Sequence, residues 1–136
     1  MKIYSTNYNK TFIEVAEDCK ADEGIIPPEK TNKTIAKMQF DMIYANPYKY
    51  TSDEVIFSIY AERNAGEIND LEKERRAFFS KGQPCLRSSP LGKTYGWGIH
   101  FDSQSRVAIY AKGSLEYTKF KNDKTLKHFK AMKSTR

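Results

Sequence analysis

Residues 78–110 hold the side chains best suited to chemistry. This segment contains one of the two cysteines (Cys85), one of the two histidines (His100) and the only tryptophan (Trp97). A thiol becomes a nucleophile when an imidazole accepts its proton, and a guanidinium such as that of Arg87 favours the thiolate. Cys85 and His100 therefore suggest nucleophilic catalysis. No local signature of a cysteine-enzyme family surrounds Cys85, so we favour the alternative that it is a small buried apolar residue.

A binding surface without catalysis is a second interpretation of the same segment. Gly96 and Gly98 flank Trp97, and glycines in a strand permit a bulge or a close backbone approach, which lets a large ring lie across the sheet. Aromatic and guanidinium groups together suit a small anionic or planar ligand. Packing of Trp97 in the core is the competing interpretation. The predicted ligand-binding residues are Gln83, Cys85, Arg87, Tyr95, Trp97, His100 and Tyr110.

Acidic residues near the N-terminus form a second candidate site. Carboxylate oxygens are the ligands that hard divalent cations prefer, and the predicted metal ligands are Glu17, Asp18, Asp22 and Glu23. Lys20 interrupts this group, so a solvated acidic loop is the alternative. Two cysteines and two histidines without close spacing do not make a zinc pattern. The sequence identifies no cofactor.

The net charge of +6 is concentrated at one end of the chain. Seven of the 23 Lys and Arg residues, but one of the 17 acids, lie within residues 119–136, so residues 1–118 carry 16 of each. A basic segment can bind nucleic acid electrostatically. These residues recur at every second or third position without an aromatic platform, and we expect a solvated terminal element rather than a nucleic-acid site. Whether the basic C-terminal segment, 121–136, is ordered or partly disordered stays open.

Length and composition predict one folded domain that spans residues 1–136. Hydrophobic residues make up 39% of the chain, which is enough for a core. No apolar run approaches the roughly 18 residues of a membrane span, and residues 1–5 lack the apolar core of a signal peptide. Two distant cysteines, Cys19 and Cys85, indicate reduced thiols. We therefore expect a cytoplasmic domain without a membrane partner, and the oligomeric state is undetermined.

The elements that must position these residues are predicted from periodicity and capping signals. Thr31 and Asn32 can cap a helix that begins near Lys33 and ends at Asn46-Pro47. Thr51 and Glu54 form a capping box for a second helix. Further helices are predicted at 70–80 and 114–120, strands at 10–16, 84–87, 94–101 and 106–111, and a weak helix or a last strand at 123–132. The predicted fold is α+β, with an antiparallel sheet and the three helices of residues 33–80 on one face.

Four strings of the sequence carry a family resemblance, namely those at 11–19, 46–53, 78–91 and 95–100. They resemble a bacterial family of small cytoplasmic proteins of unknown function, over nearly the whole chain. More distantly, Gly82-x-Pro84 with Arg87 and the strand end 108–110 are similar to frataxin-like iron-chaperone (YdhG-like) domains. That resemblance covers positions 80–120 and implies helices packed on an antiparallel sheet. Neither resemblance carries an activity across to this chain.

The leading hypothesis is a non-enzymatic cytoplasmic domain that binds a small ligand or a metal. A Cys85-dependent enzyme is the first alternative. A nucleic-acid-associated protein that acts through its basic C-terminal segment is the second.

Overall fold

The sheet has four strands and is mixed rather than antiparallel. A computed structural model describes residues 2–135, with strands β1 (Thr11–Glu14), β2 (Trp97–Phe101), β3 (Val107–Ala111) and β4 (Lys127–Lys130). They lie in the order β3-β2-β1-β4. Neighbours pair antiparallel except β1 and β4, which run parallel. The prediction of an antiparallel sheet is therefore wrong at this pair, because the long connection after β3 lets the chain enter β4 in the direction of β1.

Five helices complete the α+β fold, whose class is confirmed. Side-chain oxygens of Thr34, Thr51, Asp70, Ser89 and Ser114 cap their first turns. The predicted capping box of Thr51 and Glu54 is confirmed, whereas Thr34 rather than Thr31 or Asn32 caps the first helix. None of the helices within residues 2–135 has the length and apolar character needed to cross a membrane. The helices are α1 (Ile35–Tyr44), α2 (Ser52–Arg63), α3 (Leu71–Phe78), α4 (Pro90–Lys93) and α5 (Leu115–Lys121).

The segment predicted as an edge strand at 84–87 is instead a 3₁₀ turn, Leu86–Ser88, that leads into α4. The Cys85 carbonyl accepts hydrogen bonds from the backbone N–H and the hydroxyl of Ser88, at 3.0 and 2.7 Å. Ser89 then caps α4, with Pro90 at its first position. Local serine and proline signals thus outweigh strand propensity here.

One face of the sheet, which we call the front face, carries most of the core. Successive strand residues point to opposite faces, and Ile13, Ile99 and Ile109 all point to the front. They pack in one buried cluster with Ile43 of α1 and Leu91 of α4. The front face therefore anchors the helical layer that α1 and α4 begin.

The opposite face, which we call the back face, is covered by α5. Phe12 of β1 contacts the rings of Tyr117 and Phe120 at centroid distances of 5.1 and 5.6 Å. A Cβ atom on Gly98 would lie 2.5 Å from Phe12 and 2.7 Å from Tyr117, so the missing side chain makes room for this contact. The predicted packing of helices on one face is therefore not confirmed.

Candidate functional site

A cavity of about 420 Å³ lies between α1, α2, the end of α3 and residues 83–90. We call it the helix cavity. Its volume is within the range of small-molecule sites, which are typically apolar with a few polar groups. The apolar part of the wall consists of Ile35, Ile56, Ile59, Tyr60, Phe78, Pro84 and Pro90.

Two buried polar side chains, Gln39 and Ser89, meet in the wall of the helix cavity. Gln39 is 6% exposed and Ser89 3% exposed. The Ser89 hydroxyl donates to the amide oxygen of Gln39 and accepts from the Leu91 N–H at 3.1 Å. Hydrogen bonds within residues 2–135 account for the Gln39 oxygen but not for its amide nitrogen. The cavity wall thus presents a hydrogen-bond donor among apolar groups.

Two further amide side chains border the same cavity and close the ends of helices. The Asn64 side chain donates to the Tyr60 carbonyl at 2.8 Å, and that of Gln83 donates to the Phe78 carbonyl at 2.7 Å. Both bonds end on carbonyl groups in the last turn of a helix, and that of Tyr60 also accepts from the backbone N–H of Asn64 at 3.1 Å. Arg63, the last residue of α2, is exposed to solvent and also lines the cavity. The wall therefore holds several polar groups in fixed positions.

Cys85 lies on the wall of the helix cavity and is half-buried. Its Sγ atom is 3.5 Å from the Tyr8 hydroxyl. Burial raises the pKa of Tyr8, the hydrogen bond to Cys85 raises it further, and the Arg87 guanidinium opposes both. Arg87 itself lies over the Phe129 ring and donates from Nε to the Lys130 carbonyl at 3.0 Å. Its guanidinium thus binds the β4 region.

A separate polar group lies on the back face, and we call Tyr48, His100, Tyr110 and Phe120 the back cluster. The Tyr48 hydroxyl is 2.7 Å from His100 Nδ1 and 2.9 Å from the Tyr110 hydroxyl. Phe120 stacks on the His100 ring at a centroid distance of 4.1 Å. Every one of these bonds is made when Tyr110 donates to Tyr48 and Tyr48 donates to a neutral His100.

Burial sets the protonation states of the back cluster. It raises the pKa of Tyr48, and the hydrogen bond to Tyr110 raises it further. Burial lowers the pKa of His100 below its usual 6.5, against the smaller opposite effects of Asp102 and Asp123. The neutral forms of both residues are therefore favoured, as the hydrogen-bond chain requires.

The seven predicted ligand-binding residues do not converge on one site. Gln83 and Cys85 line the helix cavity, and Arg87 lies beside it. Trp97 is on the front face, where Phe40 and Tyr44 cover it edge to face and its Nε1 donates to the Ile25 carbonyl at 2.8 Å. The Tyr95 carbonyl accepts from the Ile25 N–H at 2.8 Å. Because strand residues alternate between faces, the remaining pair lies on the back face: His100 and Tyr110.

Most of the helix cavity is not predicted from the sequence, and the polar residues that matter most among the missed ones are Gln39, Arg63 and Ser89. A signal for Gln39 was present, because it interrupts the apolar stripe of α1 that Met38, Phe40 and Ile43 form. Ser89 lies between the predicted strands at 84–87 and 94–101, and its role depends on α4, which the sequence does not predict. Arg63 carried no signal that distinguishes it from other exposed basic residues.

Comparison with protein-family models matches residues 3–136 to the "Family of unknown function (DUF6157)". The chain belongs to this family. Comparisons with curated proteins and with solved structures find no match. The predicted membership of a family of unknown function is thus confirmed over nearly the whole chain, and the family brings no activity with it.

Two of the four predicted metal ligands of this DUF6157 chain contact its C-terminal segment. Glu17 pairs with Lys130 and Lys133 at 3.1 and 3.3 Å, and these lysines lower the pKa of its carboxyl group. Asp18 accepts hydrogen bonds from the Ser134 and Thr135 N–H groups, which lower its pKa.

The other two predicted metal ligands, Asp22 and Glu23, are exposed. Across residues 2–135, no three Asp, Glu, His or Cys side chains are close enough together to hold a metal ion. The metal-site prediction therefore rests on the sequence alone.

Proposed function

We propose that this protein is a non-enzymatic cytoplasmic domain that binds a small, largely apolar molecule in the helix cavity. Gln39 carries this proposal. It occupies a core-facing position of α1, and its amide nitrogen has no hydrogen-bond partner within residues 2–135 but is not among the buried polar atoms that lack one, so it faces the space of the cavity. A ligand acceptor would take the place of solvent at this nitrogen, so Gln39 supplies a donor of fixed position. The two free cysteines, Cys19 and Cys85, suit a reducing compartment.

The volume and lining of the helix cavity support a ligand with one polar group. Apolar side chains from α1, α2 and α3 provide most of the wall, and burial of apolar surface is the main source of affinity for such a ligand. Gln39 and Ser89 provide orientation through hydrogen bonds. A medium-chain alcohol has this combination, and 1-octanol is therefore a suitable first probe.

Cys85 provides a direct test, because its thiol lies on the cavity wall. In a Cys19→Ser background, 1-octanol should slow alkylation of Cys85 by a maleimide and should shift the backbone amide resonances of cavity residues. Ile56→Trp adds an indole to the wall and should abolish both effects. Leu115→Trp adds the same ring to an 86% exposed position on α5 and should preserve both. Unchanged alkylation and unchanged resonances at saturating 1-octanol would reject the proposal.

A Cys85-dependent enzyme is the alternative that the same cavity supports, because the half-buried thiol lies on the cavity wall. Such an enzyme needs a base near the thiol. His100 accepts a hydrogen bond from Tyr48 within the back cluster, on the other side of the sheet from Cys85. A rate of Cys85 alkylation at neutral pH well above that of a free thiol would favour the enzyme.

Two further hypotheses, metal binding and nucleic-acid binding, concern the region around the C-terminal segment. Iron binding that is lost on neutralising Glu17, Asp18, Asp22 and Glu23 would favour the iron-chaperone hypothesis. Affinity for DNA or RNA that is lost on deleting residues 121–136 would favour the nucleic-acid hypothesis. Glu17 pairs with Lys130 and Lys133. A metal ion would have to compete with these lysines for Glu17, and a nucleic acid would have to compete with Glu17 for the lysines.

A further inference from the structure

Arg63 gives the helix cavity a positive charge. In the part of the chain that the structure describes, it is the one charged side chain on the cavity wall, and no aspartate or glutamate lines the cavity. Arg63 is itself exposed, so its attraction for an anion is screened by salt and is strongest at low ionic strength. The helix cavity is therefore complementary to an anion.

The guanidinium of Arg63 is free to bind a ligand. Within residues 2–135 it takes part in none of the ion pairs and none of the side-chain hydrogen bonds. The end of α2 is closed by Asn64, whose backbone N–H donates to the carbonyls of Tyr60 and Ala61. A cation at this helix end interacts favourably with the helix dipole. That role does not use the hydrogen-bond donors of the guanidinium, which stay available.

The spacing along α2 defines the length of the ligand. Ile56, Tyr60 and Arg63 lie at positions i, i+4 and i+7, which share one face of a helix. At a rise of 1.5 Å per residue, Arg63 lies roughly 10 Å along the helix axis from Ile56. An extended chain of about eight carbons can therefore place its head group at Arg63 and its end near Ile56.

We propose that the ligand of the helix cavity is a small amphipathic carboxylate, whose head group binds Arg63 and whose apolar part lies against Tyr60 and Ile56. A carboxylate matches the two parallel N–H donors of a guanidinium, and such charge-assisted bonds are stronger than neutral ones. This inference rests on the proposed function, because it assumes that the helix cavity binds a ligand. It adds the charge and the chemical class of that ligand.

The test compares octanoate with 1-octanol, which has the same chain length without the charge. Dissociation constants are measured by calorimetry at pH 8 and low salt, and cavity occupancy by protection of Cys85. The wild-type protein should bind octanoate about tenfold more tightly than 1-octanol. Arg63→Gln should remove this preference and retain 1-octanol binding, whereas Arg63→Lys should restore part of it. Arg76→Gln changes an exposed arginine of α3 outside the cavity and should leave the preference intact.

The outcomes separate this inference from the proposed function. Equal affinity for octanoate and 1-octanol in the wild type, or a preference that persists in Arg63→Gln, would overturn the carboxylate class and leave ligand binding in place. Failure of both probes to bind the wild type would overturn both. A matched urea midpoint for Arg63→Gln and the wild type shows that the variant is folded.

Discussion

The helix cavity and the back cluster both hold polar side chains, but the hydrogen bonds of these side chains differ. In the back cluster, the hydroxyl of Tyr48 links His100 to Tyr110 within hydrogen-bond distance. In the helix cavity, Gln39 bonds Ser89 through its oxygen, and its amide nitrogen lacks a partner among residues 2–135. The hydrogen bonds of Tyr48, His100 and Tyr110 therefore stabilise the fold. Gln39 of α1, which keeps a donor without a partner, is the better indicator of a binding site.

The largest expected effect comes from a matched pair of phenylalanine deletions, one on each side of the molecule. Phe12→Ala removes a fully buried ring from the back face and should lower the free energy of unfolding by about 3–5 kcal/mol. Phe78→Ala removes a half-buried ring from the wall of the helix cavity and should cost less stability. It should, however, weaken 1-octanol binding. Urea denaturation measures the free energy of unfolding, and calorimetry measures the affinity for 1-octanol. A larger loss of stability in Phe78→Ala, with weakened binding in Phe12→Ala instead, would contradict the distinction between a packed back face and a binding cavity.

Removal of one hydroxyl should reveal how far the back cluster depends on Tyr48. Tyr48→Phe leaves His100 Nδ1 and the Tyr110 hydroxyl without their shared partner, and it should lower the free energy of unfolding by about 1–3 kcal/mol. Tyr44→Phe makes the same change on a side chain that is 55% exposed and should have no measurable effect. Equal urea midpoints for the two variants would show that the hydrogen-bond chain contributes nothing.

The back cluster should also make stability depend on pH. Burial lowers the pKa of His100 in the folded protein below the value of 6.5 expected when unfolded. As the pH falls below 6.5, the unfolded state therefore binds more protons than the folded state. The stability that neutral His100 contributes is fully present above pH 6.5 and is lost as the pH falls to the lower pKa of the folded protein. The urea concentration at the unfolding midpoint should decrease as the pH is lowered from 7.5 to 5.5. His100→Gln should flatten this part of the profile, whereas His128→Gln, at an exposed position, should not.

The last expected effect concerns Gln39, where a small loss of stability is paired with a clear effect on binding. Gln39→Leu keeps a side chain of similar size but leaves the buried Ser89 hydroxyl without its acceptor, so the free energy of unfolding should fall by about 1 kcal/mol. Binding of 1-octanol should weaken about fivefold, because the donor to its hydroxyl is lost. A large loss of stability with unchanged binding would assign Gln39 to the fold instead.

Local signals in the sequence predicted much of the fold. The capping box of Thr51 and Glu54, the helix after Ser114 and the hairpin of β2 and β3 depend on neighbouring residues, and all three are confirmed. The parallel pairing of β4 with β1 depends on residues more than a hundred positions apart, such as Ile13 and Phe129. Alternating polarity within one strand does not specify its neighbour, so this pairing was not predictable.

The candidate site was less predictable than the fold, for a physical reason. Trp97 and His100 were predicted to share a ligand-binding surface because their residue types are rare in this chain. They lie on opposite faces of the sheet, because the side chains of β2 alternate between the two faces. The helix cavity is formed where α1, α2 and residues 83–90 meet, and such a junction exists only after the helices pack. Gln83 and Cys85 were predicted because they lie in the unusual segment, whereas Gln39 and Arg63 come from the helices.

The position of β1 between β2 and β4 has a consequence for how the chain is made. The ribosome produces Thr11–Glu14 early, and both strands that flank it are translated only after all of α1, α2 and α3. Sequence-distant pairing of this kind slows folding. The helical layer can therefore begin to assemble during translation, before β2 and β4 are available to pair with β1.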